Sequence, residues 1–249
     1  MSPIPRSTGR FSIGDIVLAL RSGWATFRAI PGLSLVLGTI IASLGMGVLW
    51  GIYRIGVSAM ALPFAGGFML LGPILLAGFF RLAEAVASGR QPSIGDALCG
   101  FRQAPAGLWA VALLCAFLFM IWITDAAILY SFMIGGLDAT GQLPWLNQLQ
   151  ADKVSFTLWS SLTGAVLAFV VFAVSAFSVP LLHQRRATLI QAVHASVSLV
   201  LRNFFVSIAW GLLLTGTILL SILLLPLLAL VLPVMAYASF ALYLRVFPE

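Results

Sequence analysis

The chain has 249 residues, 61% of them apolar and only 8% charged, with a net charge of +6. A soluble domain carries about 45–50% apolar and about 25% charged residues, so this composition excludes an ordinary water-soluble fold. A nucleic-acid partner is excluded as well, because the arginines are spread among apolar residues instead of being gathered on one stripe.

In chain order, residues 1–30 show no apolar core followed by a small-residue cleavage pattern, and no secretory signal peptide is expected. Ser12-Ile13-Gly14-Asp15 has the hydroxyl-x-x-acid spacing that caps a helix, with the acid placed where the helix dipole favours it. Behind it Ile13, Ile16, Val17, Leu20, Trp24 and Phe27 recur at helical spacing, while Arg21 and Arg28 lie off that stripe. The pattern predicts an amphipathic helix in the membrane interface, with Trp24 and Phe27 as apolar anchors and Arg21 and Arg28 near anionic headgroups.

A bilayer core about 30 Å thick needs roughly 20 apolar helical residues. Residues 33–50, 61–80, 108–130 and 156–182 meet that need, the last being long enough to tilt or protrude. Residues 204–246 carry one charge, Arg245, and are too long for a single crossing. They predict a hairpin turning near residues 224–227, where Pro226 cannot donate a helical hydrogen bond. The result is an all-α polytopic membrane protein of about six transmembrane helices in one domain, 1–249.

Charge sets the orientation. Every cation except Arg54 and Lys153 falls on one side of these six spans, and the positive-inside rule then puts both termini in the cytoplasm. Trp109 and Trp210 near the cytoplasmic side, with Trp50, Tyr130, Trp145 and Trp159 toward the other, suit two aromatic belts. Ser93-Ile94-Gly95-Asp96 and Thr188-Leu189-Ile190-Gln191 repeat the first capping pattern, and each opens a further cytoplasmic interfacial helix. Each of the three caps is followed by two spans, the second holding a proline: Pro73, Pro180 and Pro233. This predicts a threefold internal repeat over about 12–81, 93–186 and 188–246.

Asp125 is the one acid inside a span. It reads as a shallow proton or cation ligand or, with more weight, as a structural partner of Arg54 or Lys153. Gly47 and Gly51 form a G-x-x-x-G pair, and Gly67 and Gly72 thin the second span around Pro73. Small residues let helix backbones approach in lipid, so close packing is preferred over a broken, substrate-lining helix. His183 and His194 are the only histidines and read as interfacial side chains. Cys99 and Cys115 are not expected to pair. No nucleophile triad, phosphate loop, metal cluster or carboxylate pair is visible, so no catalytic residue, cofactor or metal is expected.

Three stretches carry a family resemblance: Leu20-Arg21-Ser22-Gly23-Trp24, Pro31-Gly32-Leu33-Ser34-Leu35-Val36-Leu37-Gly38, and Pro63-Phe64-Ala65-Gly66-Gly67-Phe68-Met69-Leu70-Leu71-Gly72-Pro73. They resemble bacterial integral membrane proteins grouped as domain of unknown function 2189, over nearly the full length. The resemblance implies a bacterial inner-membrane protein without an established activity, and some members carry a label as cytochrome c oxidase components. Members often have histidines in the last span after the proline, where this chain has Pro233-Val234-Met235-Ala236-Tyr237-Ala238-Ser239-Phe240. Metal or haem ligation is therefore not carried over. The expected role is a non-catalytic accessory or structural subunit with a membrane-protein partner, with a small channel or transporter as the alternative.

Overall fold

The computed structural model describes residues 9–55, 61–133, 146–222 and 225–248. They fold into helices α1 (Ile13–Ala29), α2 (Pro31–Ile55), α3 (Ala61–Ala87), α4 (Ile94–Arg102), α5 (Ala106–Met133), α6 (Leu146–Ser175), α7 (Ser178–His183), α8 (Leu189–Arg202), α9 (Phe204–Ile222) and α10 (Leu225–Val246). The chain is an all-α polytopic membrane protein. Among the described residues, Ala106–Asp125, Leu162–His183 and Pro226–Val246 are long and apolar enough to cross a bilayer, and two bent pairs raise the count to five. Trp145 lies outside the described residues, as does Leu224 of the expected turn; α9 and α10 end and begin on either side of 223–224.

The caps form as their side chains require. Ser12 N–H donates to Asp15 Oδ2 at 2.8 Å while Asp15 N–H donates to Ser12 Oγ at 3.4 Å. Ser93 and Asp96 repeat this at 2.8 and 3.3 Å, and Thr188 N–H donates to Gln191 Oε1 at 3.1 Å. Hydrogen bonding from the Ser12 and Ser93 backbones holds both Asp15 and Asp96 carboxyls below their ordinary value. Two of the helices opened by these caps turn sharply into their successors: α1 meets α2 at 101° and α8 meets α9 at 105°.

Helix α10 is central, packing against α1, α2, α3 and α9. Two glycines make this possible. A Cβ at Gly23 of α1 would stand 2.6 Å from Ala238 N and 2.8 Å from Val234 O, and one at Gly38 of α2 would strike Ala229 O. Pro233 lies inside α10 and has no N–H to give to that same Ala229 carbonyl four residues back, which leaves the oxygen open to the Gly38 backbone. Buried Ser34 and Tyr237 hydroxyls share a 2.9 Å hydrogen bond between α2 and α10.

The apolar stripe of α1 divides. Ile16, Ala19, Gly23 and Phe27 are buried, whereas Ile13, Val17 and Trp24 point outward. Trp24 stacks on Phe27 with ring centroids 5.4 Å apart. Helix α1 thus buries one strip against α10 and leaves a second apolar strip for lipid.

The expected span 156–182 is interrupted. Pro180 cannot donate to the carbonyl of residue 176, so α6 stops at Ser175 and α7 restarts at Ser178. The backbone groups freed by the break are answered by α8: Phe177 N–H donates to Ser196 Oγ at 3.1 Å, and Ser196 Oγ donates to Ala173 O at 2.7 Å. Asn203, at the α8–α9 corner, accepts from Phe11 N–H and donates to Leu199 O. Trp210, expected in an aromatic belt, is instead buried in the core.

Candidate functional site

The largest polar cluster among the described residues sits where α3, α4, α7 and α10 end together, on the arginine-rich face. Its centre is Glu84, in the last turn of α3. The Glu84 carboxylate accepts from Arg81 Nη1 at 3.3 Å, from Gln184 Nε2 at 3.3 Å and lies 3.4 Å from His183 Nε2. Burial pushes the Glu84 carboxyl up, but hydrogen bonds and charge from His183, with Gln184 and Arg81 adding to them, outweigh that and leave it below its ordinary value. Gln184 Oε1 accepts from Tyr243 Oη at 2.8 Å. Arg186 donates to Tyr243 Oη, and at 2.8 Å to both Phe247 O and Pro248 O, clamping the C-terminal segment.

An aromatic chain supports this cluster from below. The His183 ring meets Phe80 edge-on at 5.6 Å and Phe240 at 6.3 Å. Phe240, Tyr243, Phe247, Phe177 and Phe11 continue ring to ring at 5.7–6.1 Å. Such contacts fix the polar groups from beneath, each aromatic pair adding about 0.5–1.5 kcal/mol beyond its burial.

Above the cluster opens a cleft of about 510 Å³, lined by Arg81, Glu84, Gln103, His183, Arg185 and Arg186 among others. Its floor stays low because Gly100 of α4 lies on α3: a Cβ there would come within 2.7 Å of Ala77 O. Arg185 has φ +54, in the left-handed region. Arg186 N–H donates to Leu181 O and Arg185 N–H to Leu182 O, the helix-ending pattern whose left-handed position normally holds glycine. Helix α3 ends the same way, with Gly89 at φ +70 in that position. Arginine there costs about 1 kcal/mol of backbone strain. A second, apolar groove of about 490 Å³ adjoins the cleft and shares Pro105 and Arg185 with it.

A third cavity, about 590 Å³, is a wholly different surface: an apolar groove between α6 and α9 lined by Ala165, Ala168, Phe169, Phe172, Gly211 and Leu212 among others.

Of the residues singled out from sequence, His183, expected as an ordinary interfacial side chain, joins the Glu84 cluster; the others do not converge on these cavities. Asp125 stands on α5 with its Oδ2 buried and without a hydrogen-bond partner among the described residues. The expected pairing with Arg54 is absent, since the Arg54 guanidinium lies over the Trp50 ring, 5.0 Å from its centroid; the Lys153 side chain falls outside the description. A Cβ at Gly47, Gly51 or Gly72 would meet no described atom within 4 Å, and among the described residues the close backbone approaches are at Gly23, Gly38 and Gly100. Gly67 lies on the part of α3 whose packing is not described. Pro73 and Pro233 lie inside α3 and α10, and Pro180 opens the break before α7. Arg21 and Arg28 are exposed on α1.

Sequence reading missed Glu84, Arg185 and the α6–α9 groove. Glu84 meets His183 across 99 positions of chain, a pairing that only the fold creates. One signal was present: a lone acid at the end of an apolar helix, needing a partner. Among the described residues, no three His, Cys, Asp or Glu side chains converge to hold a metal ion.

Comparison with known proteins gives one family. Residues 60–184 match the family described as predicted integral membrane protein (DUF2189). No curated protein and no solved structure matches the chain.

Proposed function

This chain belongs to the DUF2189 family of predicted integral membrane proteins, and we propose that it is a non-catalytic accessory subunit of the bacterial inner membrane that seats one transmembrane helix of a partner protein. The observation that carries this reading is the α6–α9 groove. Ala165, Ala168 and Gly211 keep its floor low, and small residues are what allow two helix backbones to approach closely in lipid. The nearest atoms to a Cβ at Gly211 would be those of the Phe172 ring, at 3.6 Å, an ordinary contact distance, so the position accepts a side chain without a clash. Both termini face the cytoplasm in this reading, on the arginine-rich side. A respiratory oxidase assembly is the host suggested by the family's labelling, and the three capped units are copies of one ancestral pattern.

The test is purification of the tagged chain in mild detergent, as wild type and as Gly211→Leu, which fills the groove without touching backbone. The wild type is expected to bring down one integral membrane protein, with a haem absorbance spectrum if the host is an oxidase. Gly211→Leu is expected to lose it while keeping its own yield. Retention of the same partner by the variant would overturn the reading.

A transport role would instead run through Asp125, whose buried Oδ2 lacks a described hydrogen-bond partner. Proteoliposomes decide between the two: proton or cation flux that Asp125→Asn abolishes would replace the subunit reading.

A further inference from the structure

We propose that the arginine-lined cleft and its adjoining groove form a binding site for one anionic phospholipid, the phosphate held by Arg185 with Arg81 and an acyl chain lying in the groove. The proposal is independent of the partner helix, which concerns the groove between α6 and α9. Three guanidiniums, from Arg81, Arg185 and Arg186, line the cleft against one carboxylate, Glu84. Arg186 is occupied with the carbonyls of Phe247 and Pro248, and Glu84 is already satisfied by Arg81, Gln184 and His183. The charge left over is positive, and Arg185 is the guanidinium placed to offer it, since its side chain makes no hydrogen bond or ion pair with any described residue and is exposed.

The backbone gives Arg185 a second significance. Its left-handed position belongs by conformation to glycine, and the same chain uses Gly89 at the equivalent end of α3. A side chain kept in such a position at a cost in strain points to a task for that side chain. The task a guanidinium performs best is to hold a phosphate with its planar fork of donors.

The ligand is an amphiphile because the polar cleft and the apolar groove adjoin. Pro105 and Arg185 line both the polar cleft and the groove, and the groove's remaining walls include Ala106, Ala110, Leu182 and Leu189. A soluble anion would use the first and leave the second empty. A phospholipid fills both, with its headgroup where α3, α7 and α10 end. Basic pockets between transmembrane helices take anionic headgroups in this way.

The test uses the full chain in detergent and follows its melting midpoint during titration with phosphatidylglycerol, phosphatidylcholine of the same acyl length, and inorganic phosphate. Phosphatidylglycerol is expected to raise the wild-type midpoint, as any ligand of the folded state does, and the other two to do so weakly or not at all. In Arg185→Gly the half-saturating phosphatidylglycerol concentration should rise roughly tenfold or more, the loss expected for a hydrogen bond to a charged group. Its midpoint without lipid should equal or exceed that of the wild type, because glycine relieves the strain. Arg202→Gln, which removes an exposed charge outside the cleft, should titrate as wild type. If the glycine variant fails to fold, Arg185→Gln carries the same tenfold expectation. A wild-type lipid response in both Arg185 variants would overturn the site. Equal responses to phosphatidylcholine or to inorganic phosphate would overturn the anionic-lipid assignment.

Discussion

Helices α10 and α5 are both long, apolar and free of acids over most of their length, yet they live in different surroundings. Within their spanning windows 56% of α10 is buried inside the protein against 22% of α5. Around α10 gather the close contacts of Gly23 and Gly38, the aromatic chain and the Glu84 cluster. Around α5 and α9 the molecule offers exposed apolar side chains such as Leu113, Phe117 and Phe205. In a membrane, hydrophobicity marks a residue as out of water but not as inside the protein. What separates the two regions is small residues and satisfied polar groups, since lipid competes for leucine but not for a serine hydroxyl or a glycine backbone contact.

The sharpest way to break this contrast is to put the same side chain in both regions. Gly38→Val drives a branched carbon into Ala229 O and should cost about 3 kcal/mol or more, or prevent assembly. Gly47→Val, where a Cβ would meet no described atom within 4 Å, should change the melting midpoint by the equivalent of about 0.5 kcal/mol or less. Equal effects would mean that α2 does not pack on α10 through Gly38.

A smaller contrast comes from truncation. Phe27→Ala removes a ring that is only 6% exposed in the α1–α10 contact and should lower stability by about 3 kcal/mol. Trp24→Ala, at 43% exposure, loses mainly the stacking on Phe27 and should cost about 1 kcal/mol. Leu113→Ala on α5 should be close to neutral by the same melt. A reversed order of Phe27 and Trp24 would show that α1 rests on lipid more than on α10.

The smallest effect is that of acid. Glu84, Asp15 and Asp96 are all held below their ordinary carboxyl values of 4.5 and 3.8. Groups so depressed contribute stability that is complete above the ordinary value and is lost as pH falls through the folded-state value. Hydrogen exchange in α1 and α4 should therefore rise at acid pH before exchange in α5 does. Simultaneous loosening would leave these carboxylates without a local role.

Much of the architecture was legible because it is written in local chemistry. Ser12, Ser93 and Thr188 announce their helices within four residues, whereas Pro180 read as part of one continuous span and the break between α6 and α7 was not foreseen. The rest depends on contacts that sequence spacing cannot show. Gly23 and Gly38 look like any other glycine until α10 is laid across them, while a Cβ at the more conspicuous Gly47 or Gly51 would meet no described atom within 4 Å. The apolar stripe of α1 was visible as one band because core and lipid select the same residues, and only the structure divides it. Glu84 and His183 lie at the ends of different apolar helices, and Arg185 has no motif around it at all; its signal is a backbone angle.

The most direct test of the subunit reading is photocrosslinking in intact membranes from a benzophenone side chain at Leu212, inside the α6–α9 groove, and at Leu113, on the outward face of α5. A partner helix in the groove predicts one discrete protein adduct from position 212 and only lipid adducts from 113. Lipid adducts alone from both positions would contradict it.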